Sequence, residues 1–442
     1  MSARRTTQIF AASTLFGAVT LAAALDSGRF AAADRRLLLV THNAPVPETT
    51  PAFDRAEGFD RLRDRFDEVL SWNETISPLH PGGWTPRGQD LPMLRRYLNT
   101  LWRLGDDRVE LVVESIQVTP ALALAELLPE AEITVYADGL MSYGPTRNKI
   151  DPMIGGRAGR LLHLDLVPGL RPLLLGEFGT VAQTVPAEAF TAAVAELAGP
   201  DAPAPATEPR DGPALLLGQY LAALHLMTAA EEEELHLRMV RGAVARGHRA
   251  LVFKPHPNAP DSWTRSLAEE AERLGAALTV EDRPVLAEVL YRELRPALVV
   301  GCFSTALMTA LTFYGLPVAR VGTRELLQRL TPFQNSNRIP LTVVDAVVPP
   351  LEPGGEEPVT DPERLDDLVA AVGFAMQPKI RPDLREPAVR HLSGPYAERT
   401  RHHFTRRRLT VLGLPGGLPV PRHPGVRRLA RRALRLRKAL RR

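Results

Sequence analysis

The chain has 442 residues, 45 % of them apolar and 24 % charged, which excludes a disordered or low-complexity protein and provides length for two domains. Its net charge of +3 hides an asymmetry: residues 421–442 carry ten Arg and Lys and no acid, and without them 44 basic groups face 51 acidic ones, a body charge of −7, so the basic character belongs to the tail and is no evidence for a nucleic-acid-binding surface on the folded part. One cysteine, Cys302, excludes an internal disulfide and points to a reducing compartment, and no CxxC, HExxH or His/Cys run at ligand spacing signals a structural metal.

The first segment, "MSARRTTQIFAASTLFGAVTLAAALDSG", has early arginines and an apolar run, as a secretory signal does. Thr6, Thr7, Gln8, Ser13 and Thr14 dilute that run. The preferred expectation is a strand, a turn, a helix and then a second strand, "RRLLLVTHN", which together make an opening βαβ unit. Strands are expected at 7–13, 36–41, 110–116 and 132–137. Continuous Val/Ile/Leu strands separated by helices predict a parallel sheet covered on both faces. Residues 1–201 form this first domain, and no run reaches the length of a membrane span.

Residues 202–213 contain "APAPATEPRDGP", a Pro/Ala-rich run expected to be the linker. The alternation then restarts over 214–385. Strands are expected at 214–219, 250–255, 276–280, 297–302 and 317–322, with a long helix over 230–247. Acids open that helix and Arg closes it, as the helix dipole favours. Residues 386–442 form a helical crossover, broken at Gly394–Pro395, and a basic tail. In that tail Leu429, Ala433, Leu436 and Leu440 make one apolar stripe and arginines fill the other face. The fold class is α/β: two doubly wound Rossmann-type domains facing a central cleft, a GT-B-like arrangement, with a basic C-terminal helix. In such sheets ligands bind beyond the carboxyl ends of the strands, and the interdomain cleft is the expected site.

Four groups of residues sit where strands or helices meet that cleft. "KPHP" places Lys254 and His256 two apart at a strand end, on one side of an extended segment held by Pro255 and Pro257. "GCFST" places Ser304 and Thr305 at a helix start, where hydroxyls and unpaired N–H groups cradle phosphate; ordinary N-capping is the competing reading. "VYADGL" places Asp138 directly after a strand as a candidate general base, against a plain Asp-Gly turn. Glu288 lies on the helix sixteen residues before Ser304, against a solvated glutamate. Together a cation, an imidazole and a helix N-terminus hold an anion from one domain while a carboxylate meets an acceptor from the other. No D-x-D occurs, so a metal-clamped nucleoside diphosphate is not expected.

With these motifs in order, residues 7 to 345 resemble the bacterial sialyltransferases, most closely the alpha-2,8-polysialyltransferase-like family of actinobacteria. That family carries a D/E-D/E-G motif, an H-P motif and a Ser-Ser/Thr pair, here "ADG" at 137–139, "KPHP" at 254–257 and "FST" at 303–305. The resemblance implies Asp138 as the base on the acceptor hydroxyl and His256 as the histidine on the donor phosphate. It implies Lys254, Ser304 and Thr305 as donor-phosphate ligands and Glu288 as a ribose ligand. It implies a CMP-sugar donor, a glycan acceptor, and neither metal nor cofactor. One departure is Ala137 at the first acidic position. Two alternatives stand beside this reading. One is a glycerophosphotransferase using CDP-glycerol, although "GCFST" lacks the Asp-Tyr usual there. The other is a decayed transferase that binds nucleotide without turnover. The expected location is cytoplasmic, with residues 425–442 resting on the anionic inner face of the membrane; a tail docked on the acidic body is the alternative.

Overall fold

A computed structural model of the chain describes residues 4–137, 139–200, 212–256, 261–354, 358–359 and 361–418. Asp138, Pro257, the linker up to Asp211 and the arginine-rich tail lie outside the described residues.

The first sheet contains β1 (Thr6–Ala12), β2 (Arg35–Val40), β3 (Glu68–Ser71), β4 (Arg108–Val113), β5 (Glu132–Ala137), β6 (Ala158–Leu164) and β7 (Val181–Val185). Their order is β3-β2-β1-β4-β5-β6-β7, parallel throughout. The opening βαβ unit forms as expected. The Leu15–Asp26 helix starts where the Thr14 hydroxyl accepts from the Gly17 N–H at 2.9 Å, and most of that helix is buried. Successive residues of each strand face opposite layers. Ile9, Leu37, Leu39, Leu111 and Val113 fill one. Phe10, Leu38, Val40 and Val112 fill the other.

The second sheet contains β8 (Ala214–Leu217), β9 (Ala250–Lys254), β10 (Ala277–Val280), β11 (Leu298–Gly301) and β12 (Val318–Arg320), ordered β10-β9-β8-β11-β12 and again parallel. All five expected strands appear within a few residues of their expected bounds. In both sheets the winding reverses between the first and fourth strands, β1/β4 and β8/β11. A crevice opens at such a reversal, beyond the carboxyl ends of the strands.

The halves share one core. The layer containing Phe10 and Leu38 continues through Leu215, Val252 and Val299 of the second sheet and through the Arg338–Val347 and Pro362–Met376 helices. Arg338, fully buried, is satisfied by the carbonyls of Phe333 and Leu330 and stacks on the Phe333 ring, 3.9 Å from its centroid. Three side chains tie the later chain to the first half. Thr312 Oγ1 donates to Leu166 O, Gln377 Nε2 to Arg147 O and Arg381 to Leu173 O, all within 2.8 Å. Helices at Arg385–Ser393 and Arg406–Leu412 flank Gly394–Pro395 as expected. Among the described residues no helix is long and apolar enough to cross a membrane.

Candidate active site

The two switch points face one another across a cleft of about 940 Å³. Ser13, Phe16, His42 and Arg55 line it from the first half. Lys254, His256, Glu288, Ser304 and Thr305 line it from the second. Five of the six residues singled out in the sequence therefore meet in one cavity. The sixth, Asp138, lies outside the described residues, but both its chain neighbours are placed. Gly139 stands opposite Thr305, where a Cβ atom would come within 2.8 Å of Thr305 Oγ1. The glycine of the "ADG" motif is thus required by the close approach of the two halves, since its own backbone is extended and unstrained (φ −154°).

Lys254 is the last residue of β9, paired with Leu217 of β8, so strand geometry aims the "KPHP" segment at the crevice. Its ammonium donates to Arg283 O at 3.1 Å. Burial pushes Lys254 below its ordinary value, against the pull of the nearby Glu281 charge. Burial also pushes His256 down. A phosphate oxygen placed between them would reverse both shifts, because an adjacent anion favours the charged forms. The His256 ring stacks on Tyr220 at 4.4 Å between centroids and 12° between planes.

Ser304 does what an N-cap does: its hydroxyl accepts from the Ala306 N–H at 3.2 Å as the Thr305–Thr312 helix begins. Capping and cleft lining coexist there, while Thr305 occupies the first helical position. Glu288 is not the solvated glutamate of the competing reading. It is 1 % exposed and its Oε1 accepts from Thr309 Oγ1 at 2.5 Å. Burial raises its pKa, opposed by that hydroxyl and by the Lys254 charge.

A second cavity of about 300 Å³ lies at the carboxyl edge of the first sheet and shares Ser13 with the cleft. Ser13 Oγ donates to Glu114 Oε2 at 2.5 Å, bridging β1 and β4 at the switch point. Arg147 also lines this cavity. Its backbone is pinned on both sides, the N–H to Gln117 Oε1 at 2.5 Å and the carbonyl to Gln377 Nε2 at 2.7 Å. Burial lowers its pKa. Neither Arg147 nor Tyr220 was singled out in the sequence. Tyr220 follows a glycine directly after β8, in "GQY", and Arg147 lies three residues after Gly144, in "GPTR"; those glycines are the one available signal.

No metal-ligand spacing is visible in the sequence, yet the fold gathers Asp345 with His402 and His403. The His402 Nε2–H donates to Asp345 Oδ2 at 2.6 Å, and Thr323 Oγ1 donates to Oδ1 at 2.6 Å. Burial alone would raise the Asp345 carboxyl, but His402, His403 and Arg320 together hold it below the usual range. The Arg320 guanidinium, 3.5 Å away, already offsets the carboxylate. The cluster is a buried ion-pair network in a separate pocket of about 180 Å³, whose lining shares no residue with the 940 Å³ cleft.

The family model for Alpha-2,8-polysialyltransferase matches residues 8–323. Solved structures similar to the chain include a sialyltransferase from Photobacterium damselae, residues 113–497 of which correspond to its GT-B domain (11 % identity, TM-score 0.39, 76 % of this chain and 95 % of that one). They also include MurG of Acinetobacter baumannii (13 %, 0.39, 90 % and 97 %) and an O-GlcNAc transferase mutant of Thermobaculum terrenum (14 %, 0.37, 90 % and 66 %). No curated protein matches the sequence.

Proposed function

The chain belongs to the alpha-2,8-polysialyltransferase family, and we propose that it moves sialic acid, or a related nonulosonic acid, from a CMP-activated donor to a glycan hydroxyl. The observation that carries this reading is the convergence of Lys254, His256, Glu288, Ser304 and Thr305 on one cleft between the two sheets.

The donor phosphate lies against Lys254, His256 and the N-terminus of the Thr305–Thr312 helix. Glu288 faces the ribose. The glycan enters from the first half, through the cavity that holds Arg147. The acceptor hydroxyl gives its proton to Asp138, and its oxygen bonds to the anomeric carbon on the side opposite the nucleotide. The bond from that carbon to the phosphate oxygen breaks, its electron pair stays on the phosphate, and the anomeric centre inverts. Lys254 and His256 stabilise the charge that collects there, an effect of about 3–4 kcal/mol for each well-placed donor. Base assistance from Asp138 contributes roughly 10²–10⁴-fold. CMP carries a single phosphate, whose charge one ammonium and one imidazolium balance, so transfer proceeds without a metal. The tail, residues 425–442, rests on anionic lipid near a membrane-linked acceptor.

The test is incubation with CMP-sialic acid and a sialylated oligosaccharide, read by mass spectrometry, with CDP-glycerol as the competing donor. A glycan heavier by one sialyl residue, released CMP and undiminished turnover in EDTA are expected. Turnover of CDP-glycerol alone, or CMP binding with no transfer, would overturn the reading.

A further inference from the structure

The loop that leaves β8, residues 218–222, lies directly against the "KPHP" segment. The Gly218 N–H donates to Lys254 O at 2.8 Å. A Cβ atom at 218 would meet that oxygen at 2.8 Å and both Pro255 Cα and the His256 nitrogen at 3.0 Å. Only glycine lets the two segments come this close.

Beyond Gly218 the loop is held by two buried polar side chains one turn apart on the Ala229–Ala245 helix. Glu232 is 1 % exposed and His236 fully buried. The Glu232 carboxylate accepts the Leu221 N–H at 2.7 Å and the Ala222 N–H at 2.8 Å, one on each oxygen. His236 Nε2 accepts the Gln219 N–H at 3.0 Å. The Gln219 carboxamide turns back onto the carbonyls of Leu217 and Gly218. The backbone is therefore fastened at 218, 219, 221 and 222. The residue between these anchors is Tyr220, whose ring lies parallel to His256 at 4.4 Å.

Burying a carboxylate and an imidazole costs stability unless each is well paired. Neither Glu232 nor His236 lines the cleft. Their hydrogen bonds to Gln219, Leu221 and Ala222 serve the loop that carries Tyr220. We infer that Tyr220 is a positioning residue: its ring is the platform that sets the plane of the His256 imidazole at the cleft, and Glu232 and His236 hold that platform still. A histidine at the end of a strand otherwise keeps a broad, nearly two-fold freedom about its ring torsion. A face-stacked neighbour narrows that freedom for a histidine that lines the cleft. The inference rests on the reading that His256 acts on the donor phosphate. It assigns Tyr220 no bond to the substrate.

The experiment compares Tyr220→Leu and Tyr220→Phe in the full-length chain. Turnover with CMP-sialic acid and a sialylated acceptor is measured alongside CMP affinity by calorimetry. Tyr220→Leu is expected to lower kcat by up to ~10²-fold, the cost of a misplaced reacting group, while CMP affinity changes little; Tyr220→Phe restores kcat. Histidine-selective NMR of the unliganded protein gives a readout that needs no activity. The His256 ring protons shift upfield over an aromatic face in the parent and Tyr220→Phe, and the shift is lost in Tyr220→Leu. An active parent whose kcat survives Tyr220→Leu, or whose kcat falls equally in Tyr220→Phe, overturns the inference while leaving the transferase reading intact. An inactive parent overturns the transferase reading instead, and the NMR comparison then decides the platform alone.

Discussion

Gly139 and Thr305 belong to different halves of the molecule, yet a Cβ atom on Gly139 would lie 2.8 Å from Thr305 Oγ1. This approach joins the motif that carries Asp138 to the helix start proposed to hold the donor phosphate, and it makes the separation of the halves sensitive to one methyl group. Gly139→Ala is expected to reduce turnover about tenfold, with little change in thermal stability because the backbone there is extended. Removing the opposing hydroxyl relieves the clash. The Gly139→Ala/Thr305→Ala protein should therefore be less impaired than the two single effects predict, with a coupling of about 1 kcal/mol in a double-mutant cycle. Strict additivity would mean that the two residues do not meet in solution.

The histidine of the cleft should take up a proton when the donor binds. Burial holds His256 below its ordinary 6.5, so it is neutral in the empty cleft near pH 7. An adjacent phosphate favours the charged ring, so CMP should bind more tightly at pH 6 than at pH 8. Calorimetry in buffers of different ionisation enthalpy should show net proton uptake, and His256→Asn should abolish most of it. Proton release on binding would contradict the assignment.

His236 makes the fold sensitive to acid. Burial pushes its pKa down to about 4 from 6.5, so between those values the unfolded chain binds a proton that the native state refuses. The stability this group contributes is complete above about pH 6.5 and is lost as pH falls toward 4. The slope is about 1.4 kcal/mol per unit, or ~3 kcal/mol across the window. Urea titrations of His236→Gln should show a shallower loss over that range than the parent. Parallel curves would place the sensitivity elsewhere.

Arg147 should govern the acceptor and leave the donor alone. Its guanidinium is half-buried in the first-half cavity, and burial lowers its pKa. A charge-assisted bond to an acidic acceptor is worth about 1.5–3 kcal/mol. Arg147→Gln should therefore raise KM for a carboxylate-bearing acceptor roughly 10- to 100-fold while CMP affinity stays constant. An equal effect on a neutral acceptor would show that Arg147 serves the fold.

The second half was legible because its strands are short, apolar and bounded by Gly or Pro, so both the sheet and the positions of Lys254, Ser304 and Thr305 at its edge followed from pattern. In the first half β3, β6 and β7 escaped. β3 has four residues, none fully buried, and β7 is an edge strand with only its last residue buried. β6 opens on Ala-Gly-Arg and shows its apolar run only from Leu161. Glu288 looked like a surface acid because nothing in a helical pattern reveals that Thr309, twenty-one residues later, will cover it. The Asp345–His402–His403 cluster was invisible for the same reason, since fifty-seven residues separate Asp345 from His402 and only the returning chain unites them. Tyr220 carried no motif. Its importance arises from Gly218 and from two buried anchors on the following helix, all of them tertiary facts.

The most direct test of the central claim, that the second half holds a donor phosphate through His256 while Asp138 serves the acceptor from the first, is single-turnover sialyl transfer by the parent, His256→Asn and Asp138→Asn. The account predicts rapid transfer by the parent and losses of roughly 10²-fold or more in each folded variant, with CMP still bound by Asp138→Asn. Two folded variants that transfer sialic acid as fast as the parent would contradict it.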